Sequence, residues 1–197
     1  MRVIGGIAKG RTLKAPKGRI VRPTAARVKE SLFNIWPRDL SGLRLLDLFA
    51  GTGNVTIEAL SRGAQGAVLV DASPQSGRAI RENLRRLGLA DRAQVLTMPT
   101  ERALRQLARR GEAFDLIFVD PPYGQSLVER TLKIIAQVSI LKEAGVLVVE
   151  HGLRDEVAER IGGLVLQDRR RYGDSILSFF EWQFAENSKA RNLANGT

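Results

Sequence analysis

A chain of 197 residues has room for one α/β domain, with or without a small appendage, and for a core that needs no covalent staple. It contains no cysteine and one histidine, His151, which excludes a disulfide framework, a thiolate metal site and a cysteine nucleophile, and leaves no histidine set for a metal centre. Hydrophobic residues make up 44% and charged residues 26%, no apolar run approaches the ~20 residues that span a bilayer, and the opening Met1-Arg2-Val3-Ile4-Gly5-Gly6 has too short an apolar patch for a signal peptide, so a soluble cytoplasmic protein with no membrane partner is expected.

The net charge of +10 is unevenly placed. Residues 1–38 carry ten basic residues and one acid, Glu30, whereas the rest of the chain is close to neutral. A basic block beside a neutral domain reads as an arm for a polyanion, most simply a nucleic acid. The first twenty residues hold no aromatic side chain, so Arg11 and Lys14 would grip phosphates rather than stack on bases.

Within this arm, Val3-Ile4-Gly5-Gly6 and Arg11-Thr12-Leu13-Lys14 read as two short strands around the turn-prone Lys9-Gly10. Pro16-Lys17-Gly18 is loop chemistry. Pro23-Thr24 opens a helix with Thr24 as its cap, Val28, Leu32, Ile35 and Trp36 recur at helical spacing, and Pro37 stops the run. Arg22, Thr24 and Arg27 flank this helix start, where a functional reading (closing over a cofactor or gripping phosphate) and capping with solvated charge are evenly balanced.

From Leu43 short apolar runs alternate with longer amphipathic ones. Strands are expected over 43–49, 67–71, 93–97, 114–120 and 145–150, with helices near 54–62, 74–87, 100–110 and 126–138. This alternation predicts a parallel sheet covered on both faces. A further short helix is expected near 153–161, then an antiparallel hairpin of 164–171 and 175–184 around Tyr172-Gly173-Asp174. Residues 185–197 form a polar, fraying tail.

Two motifs carry chemistry. Asp47-Leu48-Phe49-Ala50-Gly51-Thr52-Gly53 ends the first parallel strand and starts a helix, so the glycines allow a sharp turn and close approach of a ligand to the backbone. Asp71 ends the next strand, where a carboxylate meets ribose hydroxyls. Thr56 stands where a nicotinamide fingerprint wants a third small residue. An acid shortly before the first glycine, here Asp47, fits instead an adenosyl cofactor with a cationic amino-acid end. The second motif, Asp120-Pro121-Pro122-Tyr123, ends the fourth strand, at the sheet edge where ligands bind. Its prolines make a rigid corner. The Asp120 carboxylate and the Pro121 carbonyl can accept hydrogen bonds from an exocyclic amino group of a nucleobase, and Tyr123 can stack on that base. His151 reads as a structural or surface residue, Phe33 and Trp36 as packing residues, and Arg169-Arg170-Arg171 as either polyanion surface or a solvated edge.

The two motifs together resemble the Rossmann-like S-adenosyl-L-methionine methyltransferases that act on amino groups. Arg2-Val3-Ile4-Gly5-Gly6, Lys9-Gly10-Arg11-Thr12-Leu13, and Arg22-Pro23-Thr24 followed by Arg27-Val28-Lys29-Glu30 and Leu32-Phe33-Asn34 narrow the resemblance to the RsmD family of 16S ribosomal RNA guanine-N2 methyltransferases, over residues 1–183. The resemblance implies a seven-stranded, mostly parallel sheet whose last strand is antiparallel. It implies a basic N-terminal extension over 1–38 that contacts RNA and cofactor, with Arg11, Lys14, Arg22 and Arg27 toward the RNA. It also implies a methyltransferase domain over 39–184. S-adenosyl-L-methionine would be held by Asp47, Phe49, Gly51, Gly53, Asp71 and Thr100, and the acceptor by Asp120, Pro121, Pro122 and Tyr123, with no metal. Partners would be 16S rRNA, free or within a 30S particle, and the protein a monomer. The chain departs from the family pattern at Ala25-Ala26, where an acid is expected, and at Met98-Pro99-Thr100-Glu101, which lacks the usual Asp-Ala pair and leaves Thr100 for the adenine. The residues themselves lead only to an amino group on a nucleic acid, so adenine-N6 methylation of DNA and a non-enzymatic RNA-binding assembly factor stay open beside it.

Overall fold

A computed structural model describes residues 1–15, 24–37, 39–122 and 126–183, with the backbone alone for 24–27. The loop expected at Pro16-Lys17-Gly18 and the tail at 185–197 lie outside the described residues.

Five parallel strands form one half of the sheet: β1 (Arg44–Leu48), β2 (Gly66–Asp71), β3 (Ala93–Thr97), β4 (Phe114–Val119) and β5 (Leu141–Gly152). Their runs, such as Leu-Leu-Asp-Leu and Ala-Val-Leu-Val, are apolar on both faces because helices cover both. The helices are α1 (Thr24–Ile35), α2 (Asn54–Ser61), α3 (Pro74–Arg86), α4 (Thr100–Arg109) and α5 (Leu127–Val138). Ser73 caps α3 by accepting from the Ser76 N–H at 3.3 Å, and Pro74 follows as the first helical residue, where its missing N–H costs nothing.

The rest of the sheet is β6 (Arg160–Ile161), β7 (Leu164–Tyr172) and β8 (Ser175–Trp182), and the strand order is β3-β2-β1-β4-β5-β8-β7-β6. The last strand runs antiparallel to β5, as expected, and lies between β5 and β7. The sheet has eight strands where seven were expected, because the short β6 adds itself to β7.

The helix expected near 153–161 is absent. Leu153, Val157 and Ile161 have helical spacing, yet the Gly152 N–H donates to Asp155 Oδ2 at 2.8 Å and the Asp155 N–H to the Gly152 carbonyl at 3.2 Å. This local turn competes with a helical start, and pairing of β6 with β7 takes the remainder.

The two N-terminal strands are likewise reduced to one antiparallel bridge, between Arg2, one residue before the first expected strand, and Thr12 within the second. Burial still separates the apolar residues from the basic ones: Val3, Ala8 and Leu13 are buried while Arg2, Lys9, Arg11 and Lys14 are exposed. The ladder stops because residues 5–8 wrap the end of α2. The Ile7 N–H donates to the Ser61 carbonyl at 2.9 Å, the Ala8 N–H donates to Ser61 Oγ at 2.9 Å, and Ser61 Oγ donates to the Gly5 carbonyl at 2.6 Å. Gly6 passes this point with φ 72°, and a Cβ there would overlap the Ser61 carbonyl. Gly6→Ala is therefore expected to free the 5–8 loop from α2, read as cleavage by a protease between Gly5 and Arg11 under conditions where the wild type resists.

The N-terminal segment and α1 share one apolar cluster with the sheet. Val3, Leu13, Val28, Leu32, Phe33 and Trp36 pack with residues of β1, β2, β4 and β8. Phe33 meets Trp36 edge to face at 5.2 Å, and Trp36 meets Phe118 of β4 at 6.5 Å. Beneath them lies a buried ion pair. Lys29 Nζ sits 3.0 Å from Glu58 Oε2 and donates to the Arg2 carbonyl at 2.8 Å and Asn54 Oδ1 at 2.9 Å. Glu58 also accepts the N–H groups of Ile4 and Gly5 and the Arg62 guanidinium. Burial pushes the Glu58 carboxyl up, but the Ile4 N–H, Arg62 and Lys29 together hold it below the usual carboxylate range.

Candidate active site

The two chemical motifs are neighbours because their strands are neighbours. Asp47 and Leu48 of β1 lie opposite Phe118 and Val119 of β4, and the Asp120 N–H donates to the Leu48 carbonyl at 3.3 Å. The Asp-Pro-Pro corner therefore leaves the sheet beside the Phe49–Gly53 turn. Pro121 is buried and Pro122 exposed. Tyr123 lies outside the described residues.

The turn itself is strained in a regular way. Phe49 has φ 65°, Gly51 φ 58° and Gly53 φ 75°. A left-handed phenylalanine costs of order 1 kcal/mol or more and holds only where its surroundings fix it. Here the Ala50 N–H donates to the Val70 carbonyl at 2.9 Å and the Gly53 N–H to the Ala50 carbonyl at 2.8 Å. At Gly53 a Cβ would meet Leu69 Cδ2 at 3.1 Å and Ile57 Cδ1 at 3.4 Å, so its bareness serves the packing of α2 on the sheet.

Asp71, at the end of β2, bridges two loops. Its Oδ2 accepts the Gly51 N–H and its Oδ1 the Ser73 N–H, each at 2.8 Å. Each carboxylate oxygen has a second lone pair to offer.

Asp47 is buried beneath the turn, and its carboxyl accepts from Thr56 Oγ1 at 2.6 Å. Thr56 is thus the direct partner of Asp47, a role its place in the Gly-rich pattern did not disclose. Burial pushes the Asp47 carboxyl up to about 7, against the Thr56 bond that lowers it and with the Asp71 charge raising it further. An acid with a folded pKa above its unfolded one contributes most at low pH, and that contribution is lost as pH rises from about 4 toward 7. Asp47→Asn is expected to be neutral or destabilising at pH 4 and stabilising at pH 8, by at most roughly 4 kcal/mol. Thermal melts of wild type and variant at the two pH values check the crossover.

A cavity of about 720 Å³ opens at this edge of the sheet. Among the described residues its wall includes Phe49, Asp71, Ser73, Thr100, Glu101 and Pro122. Of the six cofactor residues expected from sequence, Phe49, Asp71 and Thr100 reach this wall, while Asp47, Gly51 and Gly53 support the turn behind it. Sequence reasoning missed Ser73, Glu101 and Arg130, the last two paired across the rim between α4 and α5. The rule that ligands sit beyond the carboxyl ends of strands was the available signal, since Ser73 and Glu101 follow β2 and β3 directly.

Of the expected RNA residues, Arg11 is exposed on the N-terminal loop. Lys14 is tied to α3: its N–H donates to Asn83 Oδ1 at 2.9 Å and its ammonium pairs with Glu82. Asn83 in turn donates to the Thr52 carbonyl at 3.2 Å, which joins the basic segment to the Gly-rich turn. Arg22 and the Arg27 side chain lie outside the described residues. Lys29 serves the buried ion pair and not the arm's outer face. His151 is buried in the sheet with Nε2 2.8 Å from Ser178 Oγ, and burial holds its pKa below the ordinary value.

Among known proteins, a family model described as "Conserved hypothetical protein 95" matches residues 1–181. The chain is 43% identical over 173 residues to "Putative rRNA methyltransferase YlbH" of Bacillus subtilis (strain 168), covering 88% of this chain and 94% of that one. It is 35% identical over 150 residues to "Ribosomal RNA small subunit methyltransferase D" of Escherichia coli (strain K12), covering 76% and 74%. Among solved structures, "Putative methyltransferase yhhF from Escherichia coli" superposes with a TM-score of 0.78 at 31% identity, over 93% of this chain and 99% of that one. The arrangement of five parallel strands followed by antiparallel ones is therefore the Rossmann-like methyltransferase fold.

Proposed function

The chain belongs to the family described as Conserved hypothetical protein 95, that of RsmD, and from that premise we propose that it transfers a methyl group from S-adenosyl-L-methionine to the exocyclic N2 amino group of a guanine in 16S ribosomal RNA. The observation that carries the reading is the placement of the Asp-Pro-Pro corner directly beside the Gly-rich turn, with Phe49 and Pro122 on one cavity wall.

The site fits the cofactor on its own chemistry. Asp71 offers carboxylate lone pairs on oxygens already aimed by two N–H groups, which suits ribose hydroxyls. Thr100 borders the space left for an adenine. Asp47 is a buried carboxyl among the turn residues, and a cationic amino-acid end above the turn would restore its charged form. When bound, the cofactor supplies an electrophilic methyl on a sulfonium. Asp120 and the Pro121 carbonyl accept the two amino hydrogens and turn the nitrogen lone pair toward that methyl. The bound cofactor would yield that methyl to the nitrogen with its thioether as the leaving group, and the surplus amino proton would pass to water. The chain's contribution is positioning and a fixed negative field beside a nitrogen that becomes positive. Tyr123 stacks on the base, and Arg11, Lys14, Arg22 and Arg27 engage phosphates, so residues 1–38 hold the RNA and 39–184 perform the transfer. The acceptor is the small-subunit RNA, free or within a 30S particle, met by a single copy of the protein.

The test is transfer of labelled methyl to naked 16S rRNA, to 30S particles lacking the modification, and to duplex DNA, followed by digestion to nucleosides. Label in N2-methylguanosine is expected. Label in N6-methyladenine would keep the positioning chemistry and overturn the substrate, and cofactor binding without transfer to any acceptor would leave a binding protein.

A further inference from the structure

The Gly152–Asp155 turn stands at the sheet edge that carries the Asp-Pro-Pro corner. β5 runs parallel beside β4 with Val119 opposite Val149, so the chain leaving β5 emerges next to Asp120 and Pro121. The neighbouring strand is about 5 Å away. The turn is closed by the two hydrogen bonds between Gly152 and Asp155 described above, and the chain beyond it is held to β7 by Arg169, whose Nη2 donates to the Val157 carbonyl at 3.0 Å. At its apex is Leu153, 46% exposed, followed by the exposed Arg154.

Single exposed apolar side chains are ordinary on protein surfaces. This one is distinguished by its mounting and its place. Among the described residues the other large apolar side chain so exposed is Ile7, which sits over the end of α2 at the opposite edge of the sheet. Leu153 instead projects from a locked turn at the edge that carries the Asp-Pro-Pro corner.

A guanine whose N2 is to reach Asp120 has to leave its stack, which costs a few kcal/mol and leaves a gap between its neighbours. Apolar side chains that enter such gaps are a recurrent device of nucleic-acid-binding proteins. We propose that Leu153 is a wedge that fills the gap left by the extruded guanine, with Arg154 on the flanking phosphate. This rests on the reading of the acceptor as a base in structured RNA. The rigidity of the turn is what makes the wedge effective, since a floppy loop would lose as much entropy on insertion as the contact returns. A leucine fills the space of a base edge without offering hydrogen bonds, so the device has no preference for the neighbouring sequence.

The experiment compares kcat/KM of wild type, Leu153→Ala and Leu153→Met on two RNA hairpins. In one the target guanine is paired. In the other it faces an abasic site, so it has no pairing partner and costs less to extrude. Leu153→Ala is expected to lose about tenfold or more on the paired hairpin and less than about twofold on the abasic one, with Leu153→Met close to wild type on both. Cofactor affinity, read by calorimetry with S-adenosylhomocysteine, stays at the wild-type value. Equal loss on both hairpins, or loss on neither, overturns the wedge. Absence of transfer by the wild type to either hairpin, to 16S rRNA and to 30S particles overturns the reading beneath it instead; transfer to 30S particles alone moves the same comparison to those particles, where equal rates for wild type and Leu153→Ala overturn the wedge.

Discussion

Asp120→Ala is expected to lower kcat for methyl transfer by at least about 100-fold while cofactor affinity stays within a few-fold of wild type. The separation follows from where the residue sits. Asp120 follows β4 and is tied by its backbone N–H to Leu48, whereas Phe49 and Asp71 reach the cavity wall from the ends of β1 and β2 and Thr100 from the start of α4. Removing the carboxylate leaves that wall intact and takes away an acceptor that matters most as the amino nitrogen gains charge. Asp120→Asn keeps a carbonyl acceptor but loses the negative charge, and should fall between the two. Single-turnover rates with a saturating RNA acceptor, beside calorimetry with S-adenosylhomocysteine, separate the effects. Turnover at the wild-type rate in Asp120→Ala would remove the carboxylate from the chemistry.

The second large effect concerns stability. Glu58→Ala should cost about 3–5 kcal/mol, because it leaves the buried Lys29 ammonium and the N–H groups of Ile4 and Gly5 without their common acceptor. Adding Lys29→Met to Glu58→Ala should recover part of that loss, since the uncompensated charge goes with it. Urea unfolding of the single and double variants measures both. The pH dependence has a definite sign. The Glu58 carboxyl titrates below its ordinary range when folded, so its contribution is complete above the unfolded carboxylate pKa and is lost as pH falls through the folded one. A Glu58→Ala variant that melts with the wild type at neutral pH would show the ion pair to be a bystander.

The sheet and its two motifs were legible in the sequence because parallel strands covered on both faces are written as short apolar runs ending in glycine or an acid. Leu43–Phe49 overruns the observed strand by one residue at each end, and Phe114–Asp120 by one at its C-terminal end. What misled the reading was local pattern overruled by distant pairing. Leu153, Val157 and Ile161 have helical spacing, and an aspartate turn followed by a strand partner took the segment elsewhere. What stayed hidden was partnership at long range. Glu58, Ser61 and Asn83 looked like ordinary polar residues of amphipathic helices, and they are the acceptors and donors that hold residues 1–14 to the domain. Thr56 was read as the absence of a small residue, and it proved to be the hydroxyl on Asp47.

Those long-range bonds order events during synthesis. The contacts of Ile4, Gly5, Ala8 and Lys14 span 53 to 69 residues along the chain. At roughly 5–20 residues per second, the N-terminus waits several seconds for Glu58, Ser61 and Asn83 to leave the ribosome. For that interval the most basic stretch of the protein is a loose cationic thread beside a particle made largely of RNA. Its anchoring partners arrive only with α2 and α3, so the segment closes late, and the folding rate should depend more on its contact order than on the helices it joins.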